Sequence, residues 1–148
     1  VIVIVILGIL AATAVPKFVN LQVEARNASL KGLEAAIESQ ASLVLAKAIV
    51  TGQESKATSK LTLAGVDYSI AYGYPVGKTV TVTGANKGVG LAELVKAEGY
   101  TATIVTNKLV FSLANEAAPT THSAQCTIVY NDSTSANTRP DVVVNTCT

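Results

Sequence analysis

VIVIVILGILAATAVPKF, residues 1–18, decides how the rest of the chain is read. From Val1 to Val15 only Gly8 and Thr13 are not clearly hydrophobic, and no charge occurs before Lys17. As a helix this run is about 22 Å long at 1.5 Å per residue. The hydrocarbon core of a bilayer takes about 30 Å, or roughly 20 residues. The run is therefore too apolar for a free end in water and about a third too short for a span. Three readings compete. A signal-peptide core is disfavoured, because no basic flank precedes the run and no small-x-small cleavage site precedes a soluble start. A buried core helix normally has chain on both sides. The larger part of a spanning helix whose first turns are missing agrees best with the length. The 148 residues contain no Met, so the chain is expected to be processed or trimmed rather than a full reading frame.

Past Pro16 the pattern becomes amphipathic. Leu30, Leu33, Ile37, Ala41, Val44 and Ala48 recur at spacings of three and four, with Lys31, Glu34 and Glu38 on other faces. Lys31 and Glu34 are placed to pair across one turn. Gly52 is placed as the C-cap. The chain thus reads as one long helix from Val1 to about Thr51, roughly 75 Å if unbroken. Its first third is apolar all round and belongs in lipid or a protein core, and its remainder carries one apolar stripe. Gly8 and Pro16 make the first third breakable. Pro16 leaves the Ala12 carbonyl without its helical donor, and glycine costs about 1 kcal/mol relative to alanine.

The totals exclude several classes. Lys and Arg number 11, Asp and Glu 10, and the net charge is +1, so no electrostatic footprint for nucleic acid exists. Charged residues are 14% and apolar residues 49%, with much of the apolar excess in residues 1–15. The rest reads as an ordinary domain. Three parts are expected: an apolar segment over 1–16, an amphipathic helix over 17–52, and a globular head over 53–148.

The opening stretch is similar to the N-terminal signature of type IV pilins, the subunits of bacterial surface filaments. The family's glycine and proline match Gly8 and Pro16. By that alignment about six residues precede Val1, among them a methylated aromatic residue and a glutamate, and adding them gives close to a full span. The glutamate's role, pairing with a neighbouring subunit's N-terminus, falls on no residue here. FVNLQVEARNASLKGLEAAIESQASLVLAKA, residues 18–48, most resembles subunits of mannose-sensitive haemagglutinin pili.

Residues 53–60, QESKATSK, are polar without a period and read as an exposed connection. Residues 61–75 read as strands turning at Ala64-Gly65, with Val66, Tyr68, Ile70 and Tyr72 alternating against Asp67, Ser69 and Ala71. TVTVT at 79–83 is a further alternating run, and 91–99 reads as a short helix closed by Gly99. Residues 101–113 read as a hairpin turning at 106–108, and 126–130 and 141–145 as the last strands. The fold class is α+β, a long helix packed on a mostly antiparallel sheet. Type IV pilins share that plan.

Cys126 and Cys147 are the only cysteines. An even count in an exported chain points to a disulfide, the alternative being two reduced thiols in a cytosolic protein. The bridge would contribute about 3 kcal/mol by restricting the unfolded chain. The resemblance implies that it bounds a C-terminal loop exposed on a filament. Without a CxxC pair, redox catalysis and a zinc site have little support.

GYPVGKT at 73–79 ends like a phosphate-binding loop, but position 72 is Tyr72 rather than glycine and a strand pattern follows. GANKGVG at 84–90 reads as a flexible turn in preference to an anion site. His122 lies in a loop-like stretch and reads as solvated. Asn27 and Asn131 each begin a glycosylation sequon, the first expected to be packed and the second in a loop. Tyr68, Tyr72 and Tyr74 read as sheet packing. No catalytic, metal or cofactor residues are expected.

The resemblance implies a structural subunit that polymerises into a type IV pilus used for surface attachment, adhesion and biofilm formation. It implies a place in the inner membrane of a Gram-negative bacterium with the head in the periplasm, and later in the extracellular filament. It implies identical subunits, the assembly machinery, a prepilin peptidase and a surface carbohydrate receptor as partners. Val1, Ile2, Val3, Ile4, Val5, Ile6, Leu7, Ile9, Leu10, Val15 and Phe18 would form the filament core, and Gly8, Ala12 and Pro16 a segment that unwinds there. Receptor contacts are expected at residues 53–60 and in the loop bounded by Cys126 and Cys147. The alternatives are a pseudopilin of a secretion system and a membrane-anchored binding module that never polymerises.

Overall fold

The computed structural model describes residues 1–77 and 88–148, with residues 14–16 and 19 described by backbone only. Helix α1 runs from Ile2 to Val50 and passes through Gly8 and Pro16 as helix. Its expected stripe is the buried one: Leu30, Leu33, Ile37, Ala41, Val44 and Ala48 are each at most 7% exposed. The Lys31–Glu34 pair is not among the ion pairs of the described residues. Gly52 closes the helix in the left-handed region, φ 66°. Its N–H donates to the Ile49 carbonyl (3.1 Å) and that of Gln53 to the Ala48 carbonyl (2.8 Å). This pair of bonds satisfies two of the last carbonyls, as in a Schellman ending.

The strands form two antiparallel sheets. The first takes β1 (Ser59–Leu63), β2 (Val66–Ala71) and β3 (Tyr74–Pro75) in that order. The second takes β4 (Tyr100–Val105), β5 (Lys108–Leu113), β6 (Thr127–Asn131) and β7 (Asp141–Asn145). Helix α2 (Leu91–Val95) lies between them in sequence. The α+β class and the helix packed on antiparallel sheet therefore hold. Ala64-Gly65 and Thr106-Asn107 make the two expected tight hairpins and Tyr72-Gly73 makes a third between β2 and β3, all six residues at positive φ. Such two-residue turns match the twist of the flanking strands. Lys108 belongs to β5, so the second turn is one residue shorter than expected.

Two other expectations shift. The short helix ends at Lys96, which itself takes the left-handed conformation (φ 44°), three residues before Gly99. In β2, Ser69 is buried as well as its neighbours Tyr68 and Ile70, because Gly88 and Val89 lie against the strand. The strand expected over 79–83 lies outside the described residues.

The central strands β5 and β6 of the second sheet are buried on both faces. Leu109, Phe111, Ile128 and Tyr130 face α1 and pack with Leu30, Leu33, Ile37 and Leu91. On the opposite face Val105, Val110 and Val129 form a second cluster. The Asn145 amide donates to the His122 carbonyl (3.0 Å) and the Thr127 hydroxyl to the Ala124 carbonyl (2.6 Å), which pins the 114–126 connection to that face. The buried Tyr130 phenol donates to the Pro75 carbonyl at 2.7 Å and so ties the two sheets together. Burial first, then the Asp132 charge and Tyr74, pushes its pKa far above the ordinary phenol value.

Candidate functional site

The feature that most needs a partner is the free half of α1. Val1, Ile2, Val3, Ile4, Val5, Ile6, Leu7, Ile9 and Leu10 all expose at least 52% of their surface. Phe18 and Leu21 expose 67% and 59%. The side chains of Val15 and Pro16 lie outside the described residues. Among the described residues, Val23 is the first side chain packed against the head. Residues 2–22 thus project as a rod for about 31 Å, with an apolar surface over the first turns and Lys17, Asn20 and Gln22 among the residues nearer the head. Thr13 does not interrupt the apolar surface, since its hydroxyl donates back to the Leu10 carbonyl at 3.0 Å. Gly8 has open space where a Cβ would sit, so its neighbours in the chain do not require glycine there. A contiguous apolar surface of this size marks an interaction site. Among the described residues, no helix is long and apolar enough to cross a membrane.

The rod is fixed to the head where it enters it. Arg26 pairs with Glu116 at 3.0 Å, and the Ser29 and Tyr100 hydroxyls share a bond of 2.6 Å. Between them Asn27 grips the last disulfide residue. Its Oδ1 accepts from the Cys147 N–H (2.8 Å) and its Nδ2 donates to the Cys147 carbonyl (3.4 Å). The amide nitrogen of the first sequon is thereby engaged in a structural bond. One signal in the sequence pointed to this role: Asn27 stands three residues before Leu30, in line with the apolar stripe.

Cys126 and Cys147 are bonded, with their Cα atoms 4.5 Å apart. The cysteines that bound the segment are themselves buried, while residues 134–139 between them are exposed. Both cysteines sit in the main core with Leu30 and Leu33, 7% and 5% exposed. The segment they bound is mostly the β6–β7 hairpin, paired without a gap from Thr127↔Asn145 to Asn131↔Asp141. Backbone pairing needs both strands inside the sheet, which leaves the 132–140 connection as the outward part.

The phosphate-loop resemblance at Gly77 is answered by a carboxylate. The Gly77 N–H donates to Asp132 Oδ1 at 2.6 Å, so an acid occupies the place an anion would need. Of GANKGVG, residues 84–87 lie outside the described set. Gly88 is a tight packing position rather than part of a flexible turn. A Cβ there would come within 2.6 Å of the Asp67 carbonyl and 2.7 Å of the Ser69 nitrogen. The Ser69 hydroxyl both accepts from the Gly88 N–H and donates to its carbonyl, each at 3.1 Å. His122 is exposed. Asn131 is half-buried at the end of β6 rather than in a loop, and donates to Asp141 at 3.2 Å. Tyr68 and Tyr74 are buried, as packing residues should be. Asp67 accepts from Lys60 (2.8 Å) and Thr62 (2.6 Å), which holds its carboxyl below the usual value. Among the described residues, no group of three His, Cys, Asp or Glu side chains is placed to hold a metal ion.

Comparison with known proteins gives no match to a family model, a curated protein or a solved structure.

Proposed function

We propose that the chain is the repeating structural subunit of an extracellular filament of the type IV pilus kind, with a pilin fold. One observation carries this reading: a helix half that leaves the head, uncharged and apolar up to Lys17, whose large side chains from Val1 to Leu10 none of the described residues covers. Covering one such side chain contributes about 1–2 kcal/mol, so the nine named above from Val1 to Leu10 offer on the order of 10 kcal/mol per subunit before the entropy of association. Only a like surface or lipid provides that cover along the whole rod. In this proposal the rod waits in the inner membrane and then moves into a bundle of identical helices. The apolar surface stays out of water throughout, and helix packing and head contacts decide stability. Gly8 and Pro16 are where the helix yields in the filament, since the bundle satisfies freed backbone groups differently from lipid.

The anchoring of α1 by Arg26, Asn27 and Ser29 supports the same reading, because a rod that carries a head in a polymer must not swivel. The test is electron microscopy and mass spectrometry of material sheared from the surface of expressing cells. Filaments composed of this chain are expected. Leu7→Asp, which sets a charge in the middle of the rod, should abolish them while the head keeps its thermal transition. Filaments unchanged in Leu7→Asp would refute the assigned core. Surface-anchored monomers with no filament would favour the binding-module reading.

A further inference from the structure

The head carries a cleft of about 230 Å³ where three distant segments meet. Leu45 and Ile49 come from the end of α1, and Glu54 from the connection after it. Tyr72 and Tyr74 come from the β2–β3 turn, and Asn137 from the β6–β7 connection. The walls are held by backbone. The Tyr72 N–H donates to the Lys56 carbonyl at 2.7 Å. Tyr72 and Gly73 both take positive φ, 50° and 84°. A Cβ on Gly73 would lie 2.8 Å from Leu45 Cδ1 and 3.1 Å from Glu54 Cα, so the turn presses directly on the residues beneath it.

Glu54 is the anomaly. Its Oε2 is shut off from solvent and has no hydrogen-bond partner. Neither ion pair among the described residues involves it. Buried carboxylate oxygens are normally paired, because leaving one without a donor forfeits its hydration with nothing in return. Glu54 as a whole is half-buried and lines the cleft, so a turn of its carboxylate brings the unpaired oxygen to a group bound there. Two tyrosine rings line the cleft, and aromatic faces attract cations. Leu45 and Ile49 offer an apolar wall to a carbon stem.

We propose that this cleft binds an alkylammonium or guanidinium group, with Glu54 as the counter-ion, Tyr72 and Tyr74 as aromatic walls and Asn137 at the rim. The group is either a free amine or a lysine or arginine side chain of a second copy, and the chemistry of recognition is the same. The assignment stands whether or not the filament reading does.

The test is a titration of the isotope-labelled full chain in detergent micelles, followed by amide shifts. The probes are n-butylammonium chloride and its neutral isostere n-butanol, each up to about 50 mM at constant ionic strength. Butylammonium should give saturable shifts at Glu54, Tyr72 and Gly73 with a millimolar Kd, and butanol should not. Glu54→Gln should weaken binding by about tenfold or more. Tyr72→Leu, which keeps the acid, should weaken it several-fold and covers the case in which Glu54→Gln fails to fold. Shifts at the same amides that grow with protein concentration and are reversed by butylammonium would assign the second-copy source. Shifts independent of protein concentration would assign the free amine. Equal response to butanol, no saturation, or unchanged affinity in either variant would overturn the proposal.

Discussion

Replacing Asn27 by alanine tests whether one amide side chain joins the C-terminal end of the chain to the rod. Asn27 Oδ1 accepts from the Cys147 N–H at 2.8 Å, and Nδ2 donates to the Cys147 carbonyl at 3.4 Å. Cys147 is only 5% exposed, so water does not readily replace the lost partners. A buried donor or acceptor left unmade costs about 1–3 kcal/mol. The longer bond is weak, and the N–H carries most of the loss. Alanine returns about 0.5 kcal/mol through better helix propensity. The net expectation is a loss of about 2 kcal/mol, or a fall in Tm of roughly 4–8 °C for a chain of this size. Near-UV circular dichroism of the tyrosines follows the head alone, and hydrogen exchange at the Cys147 amide reports the bond itself. Asn27→Asp keeps the acceptor for the Cys147 N–H and loses only the weak longer bond, so its loss should be well under half that of alanine. An alanine variant within about 0.5 kcal/mol of wild type, with the Cys147 amide still protected, would refute the reasoning.

Three further outcomes follow from the same structure. Cys126→Ala with Cys147→Ala opens a bridge of sequence separation 21, and urea melts should show a loss of about 3 kcal/mol. Asp67 should titrate below the ordinary 3.8 in carbon-detected NMR. A depressed carboxyl stabilises above its unfolded value and loses that contribution as pH falls through the folded one, so Asp67→Asn should lower stability slightly at neutral pH, flatten the acid limb in that window and match wild type below it. Gly88→Ala drives a Cβ into the β2 backbone, whose atoms lie 2.6 and 2.7 Å away and have no room to move. Exchange at the Ser69 amide, which donates to the Val89 carbonyl at 3.0 Å, should accelerate by about tenfold or more. An unchanged rate would mean that the 88–90 segment is not seated on β2.

Much of the scaffold was legible because its signals are local. The stripe from Leu30 to Ala48 repeats with the helical period and is the stripe that α1 buries. Gly52 and the Ala64-Gly65 pair are short-range demands of backbone geometry, and they appear where the pattern breaks. The apolar surplus of residues 1–15 likewise follows from composition, and the structure leaves that rod uncovered. The two cysteines pair as their even count suggested, but their burial did not follow from it.

The remainder depends on partners far away in the chain. Val110 and Val129 alternate with residues that face α1, so one face of β5 and β6 looks free in the sequence, yet both valines are buried in a cluster with Val105. The partner of Asn27 lies 120 residues on. Gly88 reads as slack in a glycine-rich run, yet it is held against β2 by atoms it does not neighbour in sequence. Glu54 is one acid in a polar connection until Tyr72 and Asn137 close around it. Periodicity and turn chemistry are written into each segment and need only neighbouring residues. Closure of one segment over another is set by packing between segments, and that is where the buried disulfide and the cleft arise.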